Sequence, residues 1–389
     1  MKIVIAPSGF KECLDSTEVA ESIAAGILQV APDATIHKTP LVDGGEGFAK
    51  SLVRATGGTL HPVKVTGPVG HEVAAHFGLL GGTNLKTAVL EMAAAAGLRL
   101  VPRDRRDPLR TTTFGVGELI KAALDAGAER IIIGCGDSGT TDGGAGMAQA
   151  LGVQLLDATG QQIAWGGGAV AKLFRVDLTK LDPRIRRVKI DVACNWNSVL
   201  CGPRGIAKVF GPQKGASPEA VQILSDALEN YADVLQRDLG IDVRRMPGSG
   251  AAGGLGAALH AFLGATLCWR YDVLRQYVEI DTPLQDADLV ITGEGCIDEQ
   301  TPVGKVPAEV ARWAKIYNLP VVAIAGQIGQ GAENNLASGV DSYMSILETP
   351  STLTEAIERA PDLIMRAAER VMRLIQVGQK LATSISERS

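Results

Sequence analysis

The chain has 389 residues, which at roughly 100–200 residues per domain predicts two or three domains. Hydrophobic residues make up 46% and charged residues 21%, which excludes a disordered or collagen-like chain, and a net charge of −5 lacks the basic footprint of a nucleic-acid or anionic-membrane partner. Glycine is in excess, with 46 residues against an average of about 7%.

In chain order, Lys2–Pro7 reads as a first strand. Ser16 is the expected N-cap of a helix over Thr17–Val30, in which Val19, Ala20, Ile23, Ala24 and Ile27 recur at helical spacing, and Thr35–Leu41 reads as a second strand. His61–Val65, Val73–Leu80 and Thr87–Met92 are close-set strands that leave no room for crossover helices, so this region should be antiparallel or mixed. A helix (Gly115–Ala126), a strand (Arg130–Gly134), a second helix (Gly144–Leu151) and a strand (Val188–Ala193) follow, and Pro247–Gly256 precedes a further helix. Alternation returns with a strand at Asp288–Thr292, a helix at Val306–Tyr317, a strand at Val321–Ala325 and a largely helical Thr352–Leu374. The fold class is α/β: a doubly wound domain with a parallel sheet built from both chain ends, interrupted by a second, mixed α/β domain. The N-terminus lacks the longer apolar stretch of a signal peptide, no window of eighteen apolar residues occurs, and six cysteines contain no C-x-x-C pair. The expected location is the cytoplasm, with reduced thiols.

The glycines cluster at strand C-termini and helix N-termini: Asp43–Gly47, Gly134–Gly146, Gly202–Gly205, Gly211–Gly215, Pro247–Gly256, Thr292–Gly295 and Gly326–Gly329. That edge of an open α/β sheet is where ligands bind, and glycine lets backbone N–H groups approach an anion. None of the clusters is a P-loop, a dinucleotide fingerprint or a kinase-type glycine loop with V-A-I-K. Phosphoryl transfer needs cationic donors for phosphate, carboxylates for Mg²⁺ and a group that handles the acceptor hydroxyl. Lys11, Arg204, Lys214 and Lys305 supply the first; Asp43, Glu46, Asp142, Glu294 and Asp298 supply the carboxylates. Gly136–Gly146 adds Asp137, Ser138 and Thr140. The five histidines are scattered outside the clusters, and His71 and His76 read as surface residues without a role.

These segments resemble the bacterial glycerate 2-kinases, the two-domain glycerate kinase family. The matching stretches include Ile5-Ala-Pro7, Phe10-Lys11, Asp43–Gly47, Pro108–Ile120, Ser138 with Asp142–Met147, and Cys201-Gly-Pro203. They continue with Phe210–Ala216, Gly250–Gly256, Ala287–Gly295, Ile297-Asp298 and Gly304–Pro307. They keep their order and span essentially the whole chain. The resemblance implies ATP- and Mg²⁺-dependent phosphorylation of D-glycerate to 2-phosphoglycerate. It also implies a flavodoxin-like domain from residues 1–62 and 278–389, an inserted domain from 63–277, and an active site in the cleft between them. On this reading Lys11, Lys214 and Lys305 hold phosphates or the substrate carboxylate, with Ser138, Thr140, Asp142, Asn195 and Arg204 beside them. Asp43, Glu46 and Glu294 hold Mg²⁺ or the acceptor hydroxyl, Asp43 and Glu294 being the metal candidates. Asp298 or Asp137 is the base, and Gly248, Gly250, Gly253 and Gly254 wrap the nucleotide phosphates. The sequence departs from the family pattern at Ser8, Gly9, Asp137, Thr141, Asn195 and Cys296, where the family usually has Asp, Ser, Gly, Asn, Asp and Arg. Those departures keep two alternatives open: a kinase for a related sugar acid such as erythronate, or a catalytically silent nucleotide-binding relative. The expected partner is a small hydroxy acid, with the protein a monomer or homodimer.

Overall fold

The chain opens with β1 (Lys2–Ile5), whose last three residues are buried, and β2 (Thr35–Lys38) lies parallel to it with Ile3 opposite Ile36. Between them runs the helix Ser16–Val30, which buries Val19, Ala20, Ile23, Ala24 and Ile27. Its N-cap is Asp15 rather than Ser16. Asp15 Oδ1 accepts the N–H groups of Thr17 (2.8 Å) and Glu18 (2.9 Å), and Glu18 Oε2 accepts the Asp15 N–H (2.8 Å). A capping box needs an acid or amide three residues after the cap; Asp15 has Glu18 there, whereas Ser16 would have Val19. The computed structural model describes residues 1–10 and 13–386.

The chain divides into two units, one formed by Met1–Asp43 with Val278–Ser389 and the other by Gly44–Tyr277. In the Gly44–Tyr277 unit the strands are β3 (Thr59–Thr66), β4 (Glu72–Leu79), β5 (Thr87–Glu91), β6 (Arg130–Gly134), β7 (Gln154–Leu156), β8 (Arg175–Asp177), β9 (Lys189–Cys194) and β10 (Thr266–Trp269). Six of them make a mixed sheet in the order β10-β9-β6-β5-β4-β3, parallel from β10 to β5 and antiparallel from β5 to β3. β7 and β8 form a separate antiparallel pair. Residues 44–62, grouped by the sequence reading with the first domain, lie in this unit. β3 pairs with β4 along its whole length, from Thr59 opposite Leu79 to Thr66 opposite Glu72. Pro62 lies inside β3 and is tolerated there because β3 is the edge strand.

The helix Pro218–Leu239, which the sequence reading passed over, starts at Ser217, whose Oγ accepts the Ala220 N–H (3.2 Å), with proline in the first turn. Leu224, Leu228, Tyr231 and Leu235 form its buried stripe.

The other unit is completed by β11 (Leu289–Ile297), β12 (Val321–Ile328) and β13 (Ser342–Ser345), giving a wholly parallel sheet in the order β13-β12-β11-β1-β2. The strand order reverses between β1 and β11, so the crevice at their carboxyl ends is the topological switch point where open α/β sheets bind ligands. Helices Ser16–Val30 and Ala360–Ser386 cover one face and cross at Gly26, where a Cβ would lie 2.0 Å from the Met365 carbonyl oxygen. Among the described residues no helix is long and apolar enough to cross a membrane.

Candidate active site

At the switch point, β1 and β11 are locked side by side at their carboxyl ends. The Ser8 N–H donates to Gly293 O (2.8 Å), Ser8 Oγ donates to the same oxygen (3.2 Å), and Thr292 Oγ1 donates to Ala6 O (2.8 Å). Ser8, standing where the family usually has aspartate, is thus a buried strand-to-strand tie. Beyond this tie β11 continues through Glu294 to Ile297, past the Thr292 at which the sequence suggested an end. Its last turns present Glu294 and Asp298 to one cation. Lys305 Nζ donates to Asp298 Oδ1 (3.1 Å) and to Cys296 O (3.3 Å), and Glu294 Oε1 lies 3.9 Å away. Asp298 is braced further by the Gln300 N–H (2.9 Å) and the Thr301 hydroxyl (3.3 Å). Burial alone would raise the Asp298 carboxyl, but the Lys305 hydrogen bond and charge and these smaller donors outweigh it and hold the group below its ordinary value. Burial, with Asp298 beside it, raises the Cys296 thiol. Glu294 offers a partly accessible carboxylate oxygen, which suits Mg²⁺, an ion that takes one or two protein carboxylates and leaves its other positions to water and phosphate.

In the Gly44–Tyr277 unit, Glu91, Asp137 and Asn195 stand at or just beyond the carboxyl ends of the adjacent parallel strands β5, β6 and β9. Asp137 is in the left-handed region (φ 49°), and its Oδ2 accepts the Glu46 N–H (3.1 Å). The family's usual glycine at this position fits that backbone, and aspartate is among the few other residues that tolerate it. Glu46 is exposed and ion-paired to Arg99 (2.9 Å). The residues that follow turn inward. Asp142 is fully buried and accepts from Thr113 N (2.8 Å), Thr113 Oγ1 (2.8 Å), Gly144 N (3.1 Å) and Gly146 N (3.2 Å). Burial raises its pKa against all four bonds.

Several sequence expectations change here. Lys214 is 3% exposed, and its ammonium donates to Ser138 Oγ (2.8 Å) and Thr140 O (2.6 Å), so it bolts the Pro212–Lys214 turn to the β6 loop. Ser138, Thr140 and Asp142 are likewise framework, all buried. Gly248 and Gly250 donate their N–H groups to Trp196 O (3.2 Å) and Ser198 O (3.1 Å), and Gly254 donates to Gly250 O (3.2 Å). Gly253 O accepts from Gly143 N (3.0 Å), and a Cβ on Gly253 would lie 2.0 Å from Thr140 O. This left-handed run, Ala252–Gly254 inside the helix Ala251–Leu263, packs backbone against backbone. Asn195 Oδ1 closes a turn by accepting the Asn197 N–H (2.9 Å), and Arg204 is exposed in its turn. Asp43 is half-buried, and Lys11 lies outside the described residues. His76 is not a surface residue: its Nε2 is buried 3.9 Å from Glu91 Oε1. Sequence reasoning missed Glu91, Arg99 and Thr113; a lone acid in the apolar run Ala88–Ala96 was the available signal for Glu91.

Burial lowers the Lys214 pKa to about 7, with the charge of Asp142 opposing. The unfolded chain, at about 10.4, then binds more protons than the folded one between pH 7 and 10, so the folded state gains stability as pH rises across that window. Lys214→Met removes this dependence. The stability difference between variant and wild type should shift in favour of the wild type by on the order of 3 kcal/mol from pH 7 to 9.5, read by urea unfolding.

Comparison with known proteins places these features in context. The sequence profile described as "Glycerate kinase family" matches residues 3–376. Glycerate kinase of Bacillus subtilis (strain 168) is 48% identical over 381 residues, covering 98% of this chain and 99% of the relative. Glycerate 2-kinase of Escherichia coli (strain K12) is 46% identical over 382 residues, covering 98% and 100%. A crystal structure from Salmonella typhimurium LT2, assigned as a glycerate kinase 2, superposes with a TM-score of 0.80 at 48% identity, covering 98% of this chain and 99% of that one.

Proposed function

The chain belongs to the glycerate kinase family, and from that premise we propose that it transfers the terminal phosphoryl group of ATP to the 2-hydroxyl of D-glycerate. The observation that carries the site assignment is Lys305 set between Glu294 and Asp298 at the β1/β11 switch point. Phosphoryl transfer asks the protein mainly for positioning and for charge placed against the transferring group. Lys305 supplies a fixed cation whose position is set by Asp298 and Cys296 O before substrate arrives. Asp298 Oδ1 is occupied by three donors, while Oδ2 takes the weak Cys296 thiol donor (3.7 Å), which an acceptor hydroxyl would displace. Asp137 is set aside for that role because its Oδ2 is engaged by the Glu46 N–H. Lys11 adds positive charge for the phosphates or the glycerate carboxylate. Asp43 and Glu294 would hold Mg²⁺, whose charge would offset that of the nucleotide phosphates.

The test is release of ADP from ATP in the presence of D-glycerate, with erythronate as the competing acceptor. Preferential turnover of glycerate is expected; a higher specificity constant for erythronate would reassign the acceptor, and turnover of neither would refute the kinase reading.

A further inference from the structure

The turn Gly44–Gly47 offers no side-chain cap to the helix it opens. Gly47, at φ 85°, is the N-cap of Phe48–Thr56, and the N–H groups of that first turn need an acceptor from elsewhere. The acceptor is Glu91, the last residue of β5. Its side chain is 3% exposed; Oε1 accepts the Gly47 N–H (3.2 Å) and Oε2 accepts the Ala49 N–H (2.8 Å). Asp137, beyond the end of the neighbouring strand β6, takes the Glu46 N–H (3.1 Å). Two carboxylates from adjacent strand ends therefore hold the amides of residues 46, 47 and 49. The end of β6 closes on the turn from one side: a Cβ on Gly136 would lie 2.6 Å from Gly45 N. Phe48, fully buried, fixes it from below.

The geometry points to Glu91 as a positioning residue for phosphoryl transfer, one that sets the backbone of the Gly44–Gly47 turn and through it the carboxylate of Glu46. The inference rests on the kinase reading above and on Glu46 being one of the carboxylates the sequence offers for that transfer. A Gly-Gly-Glu-Gly segment is expensive to hold in one conformation, since fixing a backbone costs about 1–2 kcal/mol per residue and glycine loses the most freedom. The positive end of a helix dipole attracts an anion. Glu91 satisfies it from within the protein, so this glycine cluster displays an acid instead of cradling a phosphate. The same logic holds at Asp142, which fills the N-terminus beside Gly144 and Gly146. Burial pushes the Glu91 carboxyl up, against its two amide bonds and the charge of Lys50 and with the charge of Glu46, and His76, whose Nε2 lies 3.9 Å away, is pulled below its usual pKa by burial and then by the charges of Lys50 and Arg99. It therefore stays neutral and leaves the carboxylate to the amides.

The experiment is steady-state kinetics of Glu91→Ala with ATP and D-glycerate, with and without added formate, alongside thermal melting. A loss of kcat of about 10²-fold is expected, since a displacement near 1 Å can cost that much. The KM values should move little, and formate, which replaces the deleted carboxylate, should restore part of kcat while formamide does not. A kcat per folded molecule equal to wild type, or a loss that formate leaves untouched, would overturn the inference. Glu91→Gln keeps the volume if the alanine variant does not fold. It turns an NH₂ group toward one of the two amides, so its kcat should fall at near-normal melting temperature, and an unchanged kcat would again count against the proposal. An inactive wild-type protein would refute the kinase reading itself, and is seen before any variant is made.

Discussion

Replacing Lys305 with methionine is expected to lower kcat by about 10²- to 10³-fold, the range found when one preorganised charge-stabilising group is removed. Lys305 is the cation between two acids, 3.1 Å from Asp298 Oδ1 and 3.9 Å from Glu294 Oε1. Without it the crevice at the end of β11 presents two carboxylates to an incoming polyphosphate, and repulsion replaces attraction. The fold should survive, because Lys305 is partly exposed and its backbone bond to Thr301 O (3.1 Å) remains. A pH signature accompanies the loss. Asp298 is held below its ordinary value, burial being outweighed by its bonds to Lys305, Gln300 and Thr301. A depressed carboxyl adds stability that is present above the unfolded value of about 3.9 and is lost as pH falls through the folded value. The wild type should therefore lose a small increment on acidification that Lys305→Met lacks. Kinetics together with circular-dichroism melts at pH 7 and below pH 4 check both parts; an unchanged kcat in a folded variant would remove Lys305 from the site.

Asp142→Ala should be the most damaging single change to the Gly44–Tyr277 unit. One carboxylate accepts three backbone N–H groups and the Thr113 hydroxyl, all in the core. Alanine leaves those donors buried without a partner. At about 1–3 kcal/mol per unsatisfied group, the total is on the order of 4 kcal/mol or more, a large part of a typical domain's stability. Asp142→Asn keeps one acceptor oxygen and sets an NH₂ group against one of the donors, so its loss should be roughly half as large. Denaturant unfolding of the two variants separates the cases. Equal, small losses in both would show that Asp142 is not the organiser of the turn.

The alternation of elements was readable because the buried strands β1, β6 and β11 are apolar runs and the helices carry helical periodicity. What escaped was short or polar: β10 and β13 have four residues each and mixed burial. The helix Pro218–Leu239 was signalled by Ser217-Pro218, but its charged faces masked the single buried stripe. Pro62 falls inside the strand expected at His61–Val65, and the edge position of β3 explains why a proline is tolerated there. The site was legible as a set of loops. Lys305, Glu294 and Asp298, each named from the sequence as a separate loop residue, lie together at the end of β11. The sequence could not reveal which way each loop residue faces. Lys214, Ser138, Thr140 and Asp142 turn into the core, and Glu91 and Asp142 occupy helix N-termini that a glycine-rich pattern alone assigns to phosphate. A buried protein carboxylate and a bound phosphate ask the same of the local backbone.

The account is tested most directly by identifying the product formed from ATP, Mg²⁺ and D-glycerate by phosphorus NMR. It predicts 2-phosphoglycerate in one-to-one ratio with ADP. Formation of 3-phosphoglycerate, or ATP left intact beside D-glycerate with a folded protein, would contradict it.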